Sequence, residues 1–153
     1  MNSFPVLKDI YSTLKNWSIK LTTLLNDFQT FLNLLIWRPW TPVFSANGSM
    51  TFTVTGVEDF KYINLFGTIF FTGVVIGTTG GTASDYIAVS LPFPIAEGNQ
   101  SQAFNVHLAD GGAYISGFGS GQDEKVHIHR YDGANWGLGT NREFRVSGFY
   151  KRR

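Results

Sequence analysis

The first 38 residues carry apolar side chains at intervals that alternate between three and four positions. This spacing averages 3.5 residues, whereas a straight amphipathic helix of 3.6 residues per turn drifts from such a repeat by about 20° per heptad. A repeat sustained over four heptads is typical of helices that supercoil around one another. We call these positions the helical seam: Leu7, Ile10, Leu14, Trp17, Leu21, Leu24, Phe28, Phe31 and Leu35.

The predicted helix begins after Pro5 and ends before Pro39, because proline lacks the backbone donor that a helix interior requires. Trp17, Phe28 and Phe31 are bulky for the narrow core of a two-stranded coil. The pattern therefore favours three or more strands, and we predict a parallel homotrimeric coiled coil. The alternative is a single amphipathic helix that packs on the domain following it.

After Pro39 the pattern changes to short apolar runs of period two, and all 17 glycines lie in this part. "SMTFTVTGV" alternates apolar residues with threonine, as a half-buried strand does. "FKYINLF" and "TIFFTGVVIG" meet at Gly67 as a predicted hairpin, and "DGG" joins "AFNVHLA" to "AYISGFG". About eight or nine antiparallel strands without intervening helices favour a mainly β, jelly-roll-like sandwich. We predict a helical stalk for oligomerisation at 1–38 and a β-sandwich head domain at 39–153.

Four segments of the β-region carry a resemblance to a known family: "WRPWTPVFSANGSMTFT", "KYINLFGTIFFTGVV", "GTTGGTASDYIAVSLPFP" and "YDGANWGLGTNREFRVSGFY". Together they resemble the C-terminal β-sandwich of bacteriophage tail-fibre and minor virion structural proteins. The resemblance covers roughly residues 37–150 and consists mostly of turns and core positions. It implies a homotrimeric virion component, with other virion proteins of the tail, baseplate or capsid as partners.

Composition narrows the classes of function. Charged residues make up 15% of the chain and the formal net charge is +1, so a nucleic-acid partner is not expected. The chain has no cysteine, which excludes disulfides, thiol nucleophiles and thiolate metal sites. No secretory signal pattern is visible. The most apolar window, "FQTFLNLLIW", is about half of the ~20 residues that span a membrane, so no membrane insertion is expected.

The segment "KVHIHRYDG" holds two of the three histidines, His127 and His129. Residues two apart in a strand point to the same face, so both imidazoles are expected on the face opposite Val126 and Ile128. Two imidazoles are too few for a firm metal site in one chain, but three copies around an axis would offer six. Such a His-x-His resembles the iron site at the tips of some phage spikes and fibres. The alternative is a polar outer face or an interface between subunits.

Candidate ligand-binding residues surround the "DGANW" turn. Tyr131, Asp132, Asn135 and Trp136 could form a receptor or glycan contact, because exposed aromatic rings stack on sugars. The alternative is that Trp136 closes the edge of the sandwich, since tryptophan buries a large area. The acidic residues lie mostly beside glycine or in turns, and no spacing indicates a catalytic carboxylate pair. We therefore predict no catalytic residues, no enzyme activity and no cofactor.

The leading hypothesis is a homotrimeric, fibre-type virion structural protein that acts by assembly and attachment, with host-receptor binding as an added role. Fibre domains of this type usually end a long polypeptide, whereas this chain starts at Met1 and carries only a short stalk. We therefore keep a capsid decoration protein at threefold positions as an alternative. A carbohydrate-binding adhesion module is the other alternative. The expected location is the virion.

Overall fold

A computed structural model describes residues 5–96, 102–122 and 124–153. The chain divides into two compact units, one ending at Ile36 and one spanning Trp37–Arg153. This division lies two residues from the boundary that we placed at residue 38. The first unit contains the single helix of the described residues, and the second contains all of their strands. The protein is therefore mainly β, with one N-terminal helix.

Helix α1 spans Pro5–Leu34, and its 30 residues make it about 45 Å long. Proline stands at its first position, where the missing N–H needs no partner inside the helix. The segment between Pro5 and Pro39 contains no glycine and no other proline, which lets the helix continue without interruption. The amide of Leu35 bonds the carbonyl of Leu32 as the last turn tightens. The predicted helix is confirmed, and the last seam residue, Leu35, lies one position beyond it.

Nine strands follow in the described residues, and hydrogen bonds join them in one antiparallel sheet. Their order across the sheet is β1-β3-β4-β9-β6-β7-β8-β5-β2. The strands are β1 (Arg38–Pro39), β2 (Phe44–Ala46), β3 (Thr51–Leu65), β4 (Thr68–Gly80), β5 (Tyr86–Ser90), β6 (Ala103–Asp110), β7 (Ala113–Gln122), β8 (Lys125–Arg130) and β9 (Gly139–Lys151).

The sheet curls so that its two ends face each other across the core. Phe44, on the edge strand β2, lies 5.4 Å from Phe52 and 5.9 Å from Phe60, measured between ring centroids. Both partners belong to β3, which lies next to β1, the strand at the opposite edge of the sheet. A curled sheet lets one face become the core while the other faces outward.

Local turn signals identified the hairpins correctly. β3 and β4 pair from Leu65 opposite Thr68 back to Thr51 opposite Gly80, and β6 and β7 pair around the Gly111–Gly112 turn. The structure differs in one respect, because "SMTFTVTGV" and "FKYINLF" form a single strand, β3. A register shift between Val54 and Glu58 interrupts its ladder with β4, so the alternation changes without ending the strand.

The core consists of side chains from the concave face of the sheet, with phenylalanine as its main component. Buried core residues include Phe52, Phe60, Phe71, Phe104 and Phe144. Glycine on a neighbouring strand makes room for such a ring: a Cβ added at Gly73, the cross-strand partner of Phe60, would lie 2.0 Å from its ring. The apolar and glycine-rich composition of the strands thus serves close packing of aromatic rings.

Candidate functional surfaces

The helical seam is exposed in the single chain. Its nine side chains retain between 43% and 69% of their accessible surface. Two neighbouring leucines, Leu25 and Leu32, are also exposed and widen the apolar face. A soluble domain rarely leaves a contiguous apolar surface of this size without a binding role. The predicted parallel trimer concerns several copies and stays a prediction at this point.

The two histidines of β8 lie on one face of the sheet, as the sequence predicts. His127 stacks on Tyr86 of β5, with ring centroids 4.1 Å apart and planes 6° apart. His129 stacks on Phe118 of β7 at 4.8 Å and 10°. Val126 and Ile128 point the other way and are buried in the core. The four rings Tyr86, His127, His129 and Phe118 form a cluster that we call the imidazole cluster.

Burial favours the neutral form of both histidines in this cluster. Partial burial among rings penalises the imidazolium form and lowers the pKa of both histidines below the ordinary value of 6.5. For His127 the neighbouring His129 lowers the pKa further, while Asp85 acts in the opposite direction on both. Asp85 accepts a hydrogen bond from Asn47 at 2.8 Å, which lowers its own pKa.

The metal prediction for His127 and His129 depends on several copies of the chain. Their ring centroids lie 6.4 Å apart, with each ring stacked on a different aromatic neighbour. Within the part of the chain that the structure describes, no three histidine, aspartate or glutamate side chains come together where they could hold a metal ion. A site built from three chains around an axis stays a prediction.

The "DGANW" segment departs from the predicted glycan contact at its tryptophan. Trp136 is 0% exposed, and its indole Nε1 donates a hydrogen bond to the carbonyl of Ile128 at 3.0 Å. Its backbone amide donates to Ser84 O at 2.8 Å. The ring cannot stack on a ligand in this conformation, so Trp136 is corrected to a core residue. Its large apolar ring outweighs its place after a turn.

The other three predicted contact residues do not share one role. Tyr131 is 65% exposed and remains available to a ligand. Asp132 pairs with Arg130 at 2.9 Å, and this guanidinium lowers the pKa of the carboxyl to about 2. The side-chain amide of Asn135 donates to the carbonyl of Ala83 at 3.4 Å. The segment is thus held to the domain by internal contacts, with Tyr131 as its exposed aromatic ring.

A buried ion-pair network lies beside the "DGANW" segment, and the sequence pattern did not predict it. Asp110, assigned from its sequence context to a glycine turn, does end β6 at that turn, but its carboxylate is buried. It forms ion pairs with Arg130 of β8 and with Arg142 of β9, the latter at 2.7 Å. Arg142 also donates to the carbonyls of Gly137 and Leu138 at 3.0 and 2.6 Å. Two cations around one carboxylate indicate a structural clamp rather than an acid–base pair.

A groove crosses the outward face of the sheet above β6. It has a volume of about 570 Å³. Small polar residues line much of it, and one large ring, Phe118, borders it with 45% exposure. The outward side chains that line it include Thr72, Asn105, His107, Ser116, Phe118 and Arg145. Hydroxyl, amide and guanidinium groups beside an exposed ring are suited to a polyhydroxylated ligand.

Comparison of the chain with protein-family models, with curated proteins and with solved structures finds no match. No helix in the described part of the chain combines the length and the apolar character of a membrane span.

Proposed function

We propose that the protein is a homotrimeric structural protein of a bacteriophage virion, of fibre type, that acts by assembly and attachment. In this proposal three copies of α1 form a parallel coiled coil, and each β-domain is a jelly-roll-like head. One observation carries the proposal: the nine seam residues of a 30-residue helix are 43–69% exposed in the single chain.

The energetics of the seam favour self-association. Full burial of a large apolar side chain stabilises by about 1.5–3 kcal/mol, so nine half-exposed residues would contribute about 10 kcal/mol per chain. This is comparable with the whole stability of a typical domain, about 5–15 kcal/mol.

The proposed trimer and the proposed location in the virion rest on different arguments. Bulky seam residues such as Trp17 and Phe31, flanked by the exposed Leu25 and Leu32, favour three strands over two. The virion assignment rests on the resemblance of the turn and core motifs in residues 37–150 to phage fibre domains. A capsid decoration protein at threefold positions would use the same trimer and remains the alternative location.

Sedimentation equilibrium tests the trimer directly. Three chains of 17.0 kDa are expected to give a particle of about 51 kDa at micromolar concentration. A single 17.0 kDa species would contradict the proposal. Antibody labelling of purified particles, viewed by electron microscopy, tests the location: label on the tail or baseplate indicates a fibre, and label on the capsid indicates a decoration protein.

A carbohydrate-binding adhesion module is the second candidate, and the groove above β6 is the observation that favours it. The buried Trp136 cannot serve as the stacking ring, whereas Phe118 lies exposed beside the polar lining. A glycan array run with the wild type, Phe118→Ala and Tyr131→Ala tests this candidate. Loss of binding in Phe118→Ala alone would support the groove, and loss in Tyr131→Ala alone would support the "DGANW" segment.

A further inference from the structure

A row of apolar side chains lies on the outward face at one end of the β-domain. Ile63, Phe70 and Phe149 are cross-strand neighbours on β3, β4 and β9. The rings of Phe70 and Phe149 lie 5.8 Å apart, and Phe149 is 62% exposed. Trp37 precedes β1 at the level of Ile63, because Arg38 pairs with Tyr62. We call Trp37, Ile63, Phe70 and Phe149 the apolar row.

The turn beside this row holds a phenylalanine in an unfavourable backbone conformation. Phe66 has φ of +50° and is followed by Gly67 at +78°. Two-residue hairpin turns of this kind prefer asparagine or glycine, since a bulky side chain is strained at positive φ. The ring of Phe66 is nevertheless 74% exposed, so contacts within the single chain do little to offset the strain. Strain held at an exposed apolar residue indicates a binding role.

The position of the row favours another copy of the same chain as its partner. The polypeptide reaches the β-domain at Trp37 and β1, which lies next to this end of β3. In a helix-linked trimer, the three β-domains are tethered at this end, and tethering raises the local concentration of each row for the others.

We propose that the apolar row, together with Phe66, is the surface through which the three β-domains contact one another. This inference rests on the proposed homotrimer and adds which face of the head is covered in it. The contact explains why a bulky ring is kept at a strained turn: Phe66 is buried only in the assembly.

Cysteine cross-linking tests the contact in a chain that has no native cysteine. Phe66→Cys is compared with Tyr114→Cys, because both wild-type side chains are 74% exposed. Tyr114 lies at the level of Ile76, six positions along β4 from Phe70, or about 20 Å. Mild oxidation of the trimer is expected to link Phe66→Cys chains at least tenfold faster than Tyr114→Cys chains.

A second variant should shift the melting temperature in opposite directions in the monomer and in the trimer, which a purely local effect cannot do. Phe66→Asn relieves the turn strain, so it should raise the melting temperature of the β-domain by about 2–4 °C in a monomeric background. The monomeric background is the Leu21→Asp, Leu24→Asp chain. In the wild-type trimer the same variant should lower the melting temperature at equal protein concentration, because the buried ring is lost.

The outcomes separate this inference from the proposed function. A 51 kDa trimer with selective cross-linking at residue 66 supports both. Two results would overturn the head contact alone while the trimer stands. One is equal cross-linking of both cysteine variants, and the other is a rise in the melting temperature of the Phe66→Asn trimer like that in the monomer. A wild-type monomer overturns the homotrimer and this inference with it.

Discussion

Aspartate at two central seam positions, Leu21 and Leu24, is expected to separate the proposed trimer into single chains. These side chains are 57% and 64% exposed, so most of their burial free energy is gained only on association. At about 1.5–3 kcal/mol for full burial of a leucine, each would contribute about 1–2 kcal/mol. Six leucines in a trimer therefore contribute about 6–12 kcal/mol.

Loss of this contribution raises the dissociation constant by at least about four powers of ten, before any charge repulsion is counted. Six carboxylates brought together in a narrow core add repulsion and a desolvation cost. Sedimentation equilibrium at micromolar concentration should show the mass falling from about 51 kDa to 17.0 kDa. Circular dichroism should show less helix, because an isolated helix of this length is marginal in water.

The matched control is Thr23→Asp with Asn26→Asp, which places two aspartates at the same spacing outside the seam. Both positions are exposed in the single chain. The control is expected to remain a trimer. A trimer that survives the seam variant would show that the helix does not hold the assembly, and dissociation of both variants would show that added charge, not the seam, is responsible.

Three further predictions concern the β-domain. Asp110→Asn should lower the free energy of unfolding by about 3–5 kcal/mol, measured by urea denaturation, because two arginines lose their buried partner. The pKa values of His127 and His129 are lowered in the folded state, so the unfolded state binds protons first as the pH falls. The free energy of unfolding should therefore decrease as the pH falls below 6.5. In a variant with glutamine at both positions, the urea midpoint should change less between pH 7 and pH 5. Trp136→Ala should cost about 3–5 kcal/mol in urea, whereas the exposed Tyr131→Ala should change stability by less than about 0.5 kcal/mol.

Much of the secondary structure could be predicted from the sequence because its signals are local. The 3.5-residue spacing predicted α1, and the turn signals at Gly67 and "DGG" predicted two hairpins that the structure contains. The alternation in "KVHIHR" correctly placed His127 and His129 on the face opposite Val126 and Ile128. Such patterns report on neighbours within a few residues, where backbone geometry alone decides which side chains share a face.

Other features depend on which distant strands become neighbours, and no local pattern carries that information. The curl of the sheet and the pairing of β6 with both β7 and β9 bring Arg130 and Arg142 to Asp110. Trp136 is buried where its indole bonds the carbonyl of Ile128 and its amide bonds that of the remote Ser84. Cross-strand register also aligns Phe70 with Phe149, which stand 79 positions apart in the sequence. Local periodicity is enough to specify the helix, its seam and the strand-forming runs. Burial, ion pairing and the exposed apolar row depend instead on contacts between strands that are far apart in the sequence.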